Sequence, residues 1–431
     1  MKIIEGFDNA RAILSRQAKR DIFGDDEREK TVRQIVNDVR ERGDAALYDY
    51  TRKFDGVKLA SLEVGKEQIN RAYRETDKEL LSAMKLAAAR ISAYHLEQKK
   101  RLWQENKTSK LGWLIRPIRS IGIHVPGFSA PLPSSLLMTA IPARVSGVKE
   151  VVLMTPPQKN GQVSPVTLAA AKIAKIDRVF AVGGAQAIAA LAYGTESVPA
   201  VDKVCGPGNA YVTLAKKMVY GTVGIDGLYG PSEVIIIADA TANAAYAAAD
   251  LLAQAEHGSL ASAILIATSR KVADNVNREV EKQLKTLKRR DITATGLEKK
   301  GLIAVVQTVD EGIELANLYA PEHLCLLVKD AASCVKKVNN AGCLFVGENG
   351  IEALVDYAAG PSHVLPTDGT ARFSSGLNIL DFIKLISVVK MDKTDIRQLG
   401  RAAAVIAKAE GLDAHARALE KRLKDAGQGG N

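Results

Sequence analysis

Histidine is scarce in this chain, six among 431 residues, and four of the six stand beside acids or glycines in its second half: His257, His323, His363 and His415. Gln254 and His257 lie in Leu251-Leu252-Ala253-Gln254-Ala255-Glu256-His257-Gly258. If the alanine- and leucine-rich run from Ala242 to Glu256 is helical, they share one face. The pair reads either as half of a metal site or as an ordinary helix end, where a histidine before a glycine suits the dipole and the left-handed cap. Glu322 and His323, within Pro321-Glu322-His323-Leu324, are adjacent and so reach one cleft only from non-helical backbone. A carboxylate beside an imidazole offers two proton-transfer groups of different pKa, unless both simply sit on the surface. Asp356 and His363 flank the loop signal Gly360-Pro361 and would supply an oxygen and a nitrogen ligand. Glu410 and His415 are separated by about 140° on a continuous helix. Gly411 can interrupt that helix and Asp413 can cap a new one, placing His415 in a first turn. One glutamine, one aspartate and two of these histidines give the nitrogen and oxygen coordination that suits zinc, with other metals left open.

The elements that must position these groups alternate. Strands are expected at Ser120 to Val125, Glu150 to Met154, Arg178 to Val182 and Val204, with helices from about Leu136, at Val166 to Ala174 and at Ala185 to Ala192. A second series has strands at Val234 to Ala238, Ala263 to Ala267, Leu302 to Val306, Leu324 to Val328 and Cys343 to Val346. Its helices are Ala242 to Glu256, Lys271 to Leu287, Ile313 to Leu318 and Ala331 to Asn339. Alternation of this kind predicts right-handed crossovers and two doubly wound parallel sheets, with ligands beyond the carboxyl ends of the strands. Gly183-Gly184-Ala185-Gln186 and Gly206-Pro207-Gly208-Asn209 are loops where backbone could approach a phosphate, or else tight turns. No G-x-G-x-x-G run occurs. Asp25 to Glu105 is mostly helical in pattern, with Asp77 as a cap and His95 on a charged, outward face. Thr394 to Lys424 is helical and broken at Gly411.

Composition excludes several classes. Hydrophobic residues at 47% and charged residues at 25% fit a globular chain able to bury a large core. The net charge of +10 is scattered in short clusters such as Lys288-Arg289-Arg290 without interleaved aromatics, which argues against nucleic acid. No apolar run approaches the roughly 20 residues that cross a bilayer. Cys205, Cys325, Cys334 and Cys343 show no C-x-x-C spacing and read as reduced thiols of a cytoplasmic protein.

Val182 to Glu196, Val204 to Val212, Gly230-Pro231-Ser232-Glu233-Val234, Gln254 to Gly258, Ala320 to Leu324, Gly360 to Pro366 and Glu410 to His415 together resemble histidinol dehydrogenase, in order and over nearly the whole chain. The resemblance implies oxidation of L-histidinol to L-histidine, the last step of histidine biosynthesis, through a bound aldehyde with two NAD+ and one zinc per subunit. It implies Gln254, His257, Asp356 and His415 as zinc ligands, His415 coming from the partner of an intertwined homodimer. Those four, with Ser232, His323, His363 and Glu410, would hold the substrate. Gln186 and Asn209 would contact NAD, and Glu322 and His323 would move protons. The architecture implied is two incomplete Rossmann-like doubly wound domains with small N- and C-terminal helical extensions. Residues 1–20 would be the N-terminal extension, 21–123 with 233–376 a discontinuous domain carrying metal and catalytic residues, 124–232 the NAD domain, and 377–431 a dimerisation extension.

Two stretches depart from the family pattern. His124-Val125-Pro126-Gly127-Phe128 stands where a tyrosine cofactor contact is usual, so His124 is the candidate in that place. Gly227-Leu228-Tyr229 carries a bulkier residue than the family's alanine near the substrate wall. Phe128, Tyr229 and the basic charge keep open a paralogue acting on another small alcohol, such as a sulfonated propanediol. A non-catalytic zinc- or nucleotide-binding protein would have no use for the Glu322–His323 pair.

Overall fold

The protein is described from a computed structural model, which covers residues 1–15, 26–107, 109–127 and 131–427. Phe128, Asp25 and the tail 428–431 lie outside the described residues. The chain forms two compact units, one of Met1–Lys100 with Ile118–Phe382 and one of Arg101–Pro117 with Ile383–Asn431.

The large unit contains two parallel sheets. Strand β1 (Lys2–Glu5) belongs to it, whereas β2 (Leu111–Pro117) belongs to the small unit. The first sheet uses β3 (Ser120–His124), β4 (Glu150–Met154), β5 (Arg178–Phe180), β6 (Lys203–Cys205) and β7 (Gly224–Ile225), in the order β5-β4-β3-β6-β7. The second uses β8 (Glu233–Ala238), β9 (Ser262–Ala267), β10 (Leu302–Val305), β11 (His323–Leu327) and β12 (Cys343–Val346), in the order β1-β10-β9-β8-β11-β12. Every position of β3, β8 and β11 is buried. That is why Glu-Val-Ile-Ile-Ile-Ala reads as an unbroken apolar run: a strand covered on both faces has no polar side to show. The strand order reverses between β3 and β6 in one sheet and between β8 and β11 in the other.

The first 123 residues contribute to both sheets. The chain start is an edge strand, with Lys2 beside Leu302 and Glu5 beside Val305. The helices that follow serve the five-stranded sheet rather than the six-stranded one. Val32, Ile35, Val36 and Val39 form the buried stripe of the Asp26–Arg42 helix, in one core with Val152, Phe180 and Ile188. The Lys66–Glu75 helix packs on Pro165–Ile173. Asp77 caps as expected, its Oδ1 accepting from the Leu80 amide at 3.0 Å. His95 is a correction: it is fully buried, with Nδ1 2.8 Å from Gln98 Oε1. Charged neighbours suggested an outer face, but His95 continues the buried stripe Met84, Ala87, Ile91 of the Lys78–Leu102 helix. A smaller correction is Ala331 to Asn339, where the helix ends at Cys334 and tightens into a 3-10 turn over Val335–Lys337.

In the small unit β13 (Ile383–Val389) pairs antiparallel with β2, Ile383 opposite Pro117 and Val389 opposite Leu111. The Lys393–Ala409 helix opens on an Asp392–Asp395 capping box and packs on the Asp413–Gly427 helix. Gly411, with a φ of +74°, makes the break between them. Leu111, Trp113, Leu385, Ile386, Val389, Val405 and Ile406 of this unit are exposed.

Candidate active site

The six-stranded sheet places Glu322 and His323, the candidate proton-transfer pair, at its amino edge. His323 is the first residue of β11 and pairs in register with Val234 of β8, so Glu322 and His323 both meet the backbone of Glu233. The Glu233 amide donates to Glu322 Oε2 at 2.9 Å, and His323 Nδ1 lies 3.1 Å from the Glu233 carbonyl. A carbonyl only accepts, so Nδ1 carries the proton and Nε2 keeps a lone pair. That Nε2 is buried, with no hydrogen-bond partner among the described residues, and Asp356 Oδ1 is 4.0 Å away. Burial lowers the His323 pKa to about 3, so the ring is neutral at neutral pH. Burial raises the Glu322 pKa well above its usual value, the Glu233 amide opposes this, and the carboxylates of Glu233, Glu352 and Asp356 reinforce it.

Helices run back against parallel strands, so the Ala244–Ala255 helix delivers its carboxyl end to the same edge. Gln254 is fully buried, and neither its Oε1 nor its Nε2 has a partner among the described residues. His257 lies just past the helix, exposed, and adds to the electrostatic environment of both His323 and His363. The same helix contacts the short turn Glu352–Leu354, which continues into a π-helical turn, Val355–Ala359, bearing Asp356. Asp356 Oδ1 is buried and unpartnered among the described residues, and burial raises its pKa to about 6. His363 Nδ1 lies 2.7 Å from the Asp356 carbonyl and its Nε2 lies 3.0 Å from Ser135 Oγ. Ser232, half-buried, immediately precedes β8.

No group of three His, Cys, Asp or Glu side chains among the described residues is placed to hold a metal ion. The large unit nevertheless fits part of a zinc shell. A buried amide and a buried carboxylate oxygen without protein partners are costly unless something else satisfies them, and both are donors zinc accepts. Glu410 and His415 belong to the small unit and are exposed there, Glu410 as the cap of one helix and His415 in the first turn of the next.

The five-stranded sheet presents its opposite, carboxyl edge. His124 ends β3, Gln186 lies in the first turn of the Gly184–Tyr193 helix after β5, and Asn209 caps the Ala210–Val219 helix after β6. Gln186 is buried, whereas Asn209 is exposed, its Oδ1 accepting from the amides of Tyr211 at 3.0 Å and Val212 at 3.2 Å. Beneath that loop Lys216 and Asp226 form a buried ion pair. Asp226 accepts from the Gly206 amide at 2.7 Å, and Lys216 donates to the Gly206 carbonyl at 3.1 Å. Tyr229 packs against the core that contains Ile121, Ile123 and Leu136, with its ring 4.7 Å from Lys216 Nζ.

Residues 18–423 match the family model of histidinol dehydrogenase. The chain is 55% identical to the histidinol dehydrogenase of Dehalococcoides mccartyi strain CBDB1, over 98% of this chain and all of that one. It is 48% identical to that of Geobacillus kaustophilus over 93% of this chain and 95% of that one. The crystal structure of histidinol dehydrogenase from Elizabethkingia anophelis superposes with a TM-score of 0.92 at 37% identity, covering 99% of this chain and 98% of that one. The chain belongs to the histidinol dehydrogenase family. Membership makes it an NAD-dependent oxidoreductase and agrees with the two doubly wound parallel sheets.

Within this histidinol dehydrogenase fold three contributors escaped the sequence reading. Ser135 tethers His363, Glu352 places Oε1 3.5 Å from His323 Nδ1, and Glu233 lends its backbone to Glu322 and His323. Glu352 stands four residues before Asp356, a helical spacing that could have drawn notice; the other two carry no signal without the strand register.

Proposed function

We propose that the protein converts L-histidinol to L-histidine in two oxidations, with two NAD+, one zinc per subunit and an aldehyde kept bound between steps. The observation that carries this reading is the buried His323 Nε2, neutral and unpartnered among the described residues, beside Glu322 and the orphaned donors of Gln254 and Asp356. NAD+ would supply the hydride acceptor, and zinc, held by Gln254, His257, Asp356 and the partner subunit's His415, a Lewis-acid grip on substrate nitrogen.

The chain's own groups do the rest. His323 Nε2 takes the hydroxyl proton of the alcohol while Nδ1 stays bonded to the Glu233 carbonyl. Glu322, once ionised, is a stronger base than an exposed carboxylate because its pKa is raised, and it activates the water that adds to the aldehyde. Loss of a second hydride and proton from the hydrate yields the acid. Substrate binding is assigned to His363, fixed between Ser135 and the Asp356 carbonyl, to Ser232 and, from the resemblance, to Glu410. Gln186 and Asn209 stand at the loops for NAD.

A homodimer with shared sites is part of the same reading. A two-stranded sheet with a bare apolar face is not stable alone, and Leu385 and Val389 of β13, on one face with Leu111 and Trp113 of β2, need cover. A cytoplasmic location fits four unpaired cysteines. No described helix is long and apolar enough to cross a membrane.

Purified protein given L-histidinol and NAD+ should release two NADH per substrate consumed and contain zinc in proportion to subunits. One NADH with free aldehyde would refute the two-step route. Turnover of a sulfonated diol with none of histidinol would move the substrate to the paralogue class, which none of the relatives above favours. Mixed His415→Asn and His257→Asn subunits should regain activity that neither has alone; verified heterodimers without activity would refute the shared site.

A further inference from the structure

His124 ends β3, at the point where the strand order of the five-stranded sheet reverses. The loops after β5 and β6 lie to either side of it, with β4 between β3 and β5. The imidazole reaches both. Its Nδ1 lies 2.9 Å from the Pro207 carbonyl, and the Gly184 amide donates to its Nε2 at 3.2 Å. Only a neutral ring with the proton on Nδ1 makes both bonds. Burial, with His124 3% exposed, lowers its pKa to about 4 and keeps that form at neutral pH.

Each loop also has an anchor of its own. The Gly206 backbone is held by Lys216 and Asp226, and a Cβ there would collide with the His124 carbonyl oxygen. Gly183 lies against Pro156, where a Cβ would come within 2.8 Å of the proline Cβ. Neither anchor sets the distance between the loops. The imidazole bonds to both and spans that distance.

We propose that His124 is a positioning residue for the dinucleotide, clamping the Gly183-Gly184 turn to the Gly206-Pro207 loop so that both present Gln186 and Asn209 at a fixed separation. The inference rests on the reading that NAD lies across these two loops. A cofactor spanning them binds well only at that separation, whereas the histidinol site at the edge of the other sheet does not depend on it.

The test is steady-state kinetics and direct NAD+ titration of His124→Phe, His124→Asn and His124→Gln, with Gln186→Ala beside them. Phe keeps the bulk and loses both bonds, Asn keeps a donor near Nδ1, and Gln keeps an acceptor near Nε2. The KM and Kd for NAD+ should rise about tenfold in His124→Phe and less in the other two, with the KM for L-histidinol changed by less than about twofold. If His124→Phe does not fold, the Asn and Gln variants carry the comparison. Wild-type NAD+ affinity in the His124 variants while Gln186→Ala weakens binding would overturn the clamp alone. Unchanged affinity in Gln186→Ala as well would overturn the placement of NAD at these loops. Parallel rises in both KM values that follow the loss of Tm would reduce His124 to a structural residue.

Discussion

At the carboxyl edge of the five-stranded sheet, buried polarity is closed upon itself. His124 uses both ring nitrogens on backbone, and Lys216 and Asp226 pair and then hold Gly206. At the amino edge of the six-stranded sheet the reverse holds. Gln254, Asp356, Glu352 and His323 all keep at least one buried nitrogen or oxygen without a partner among the described residues. Burying such a group costs about 1–3 kcal/mol if nothing satisfies it. The first edge thus uses polar residues to fix backbone shape, which suits recognition of a cofactor by loops. The second maintains unmet hydrogen-bonding and ligand capacity, which suits chemistry on a small polar substrate.

That contrast can be broken at either edge. The largest effect is expected at the open one. His323→Asn should lower kcat by about 10²–10⁴-fold while zinc content stays near wild type. Loss of zinc in that variant, measured by metal analysis, would show that His323 belongs to the metal shell instead. At the closed edge, Lys216→Met leaves Asp226 as an unpaired buried charge and should cost roughly 3–5 kcal/mol in denaturant unfolding. A cost within about 0.5 kcal/mol, the usual surface value, would mean the pair is not closed off from water. The smallest effect has the opposite sign. Gln254→Leu should weaken zinc retention yet stabilise the metal-free protein by about 1 kcal/mol, because an unsatisfied buried amide is removed. A less stable metal-free variant would show that the amide is satisfied within the protein.

Much of this was legible in the chain. The apolar run Val234 to Ala238 lies within β8, Leu324 to Val328 overlaps β11 and overshoots it by one residue, and Gly411 breaks the last helix as its backbone freedom requires. Glu322 and His323 are consecutive in sequence, and the start of β11 lets both meet the Glu233 backbone. What stayed hidden depends on contacts far apart in sequence. Ligands are expected at carboxyl edges, where His124, Gln186 and Asn209 stand, whereas the candidates Ser232, Glu322 and His323 sit before or at the start of their strands. The pairing of β2 with β13 joins residues 111–117 to 383–389, and neither stretch names its partner. His95 was misread because local charge outweighed a stripe of four positions on a long helix.

The edge position of β1 has a consequence in time. Lys2 pairs with Leu302, a separation of 300 residues (302 − 2). At synthesis rates of roughly 5–20 residues per second, about 15–60 s pass between the making of β1 and of its partner strand. Within that interval all of β3 to β7 is made, so the five-stranded sheet can assemble before the six-stranded one has its edge. The five-stranded half of the molecule would be made first, and the six-stranded sheet would be completed on a strand synthesised long before its neighbour.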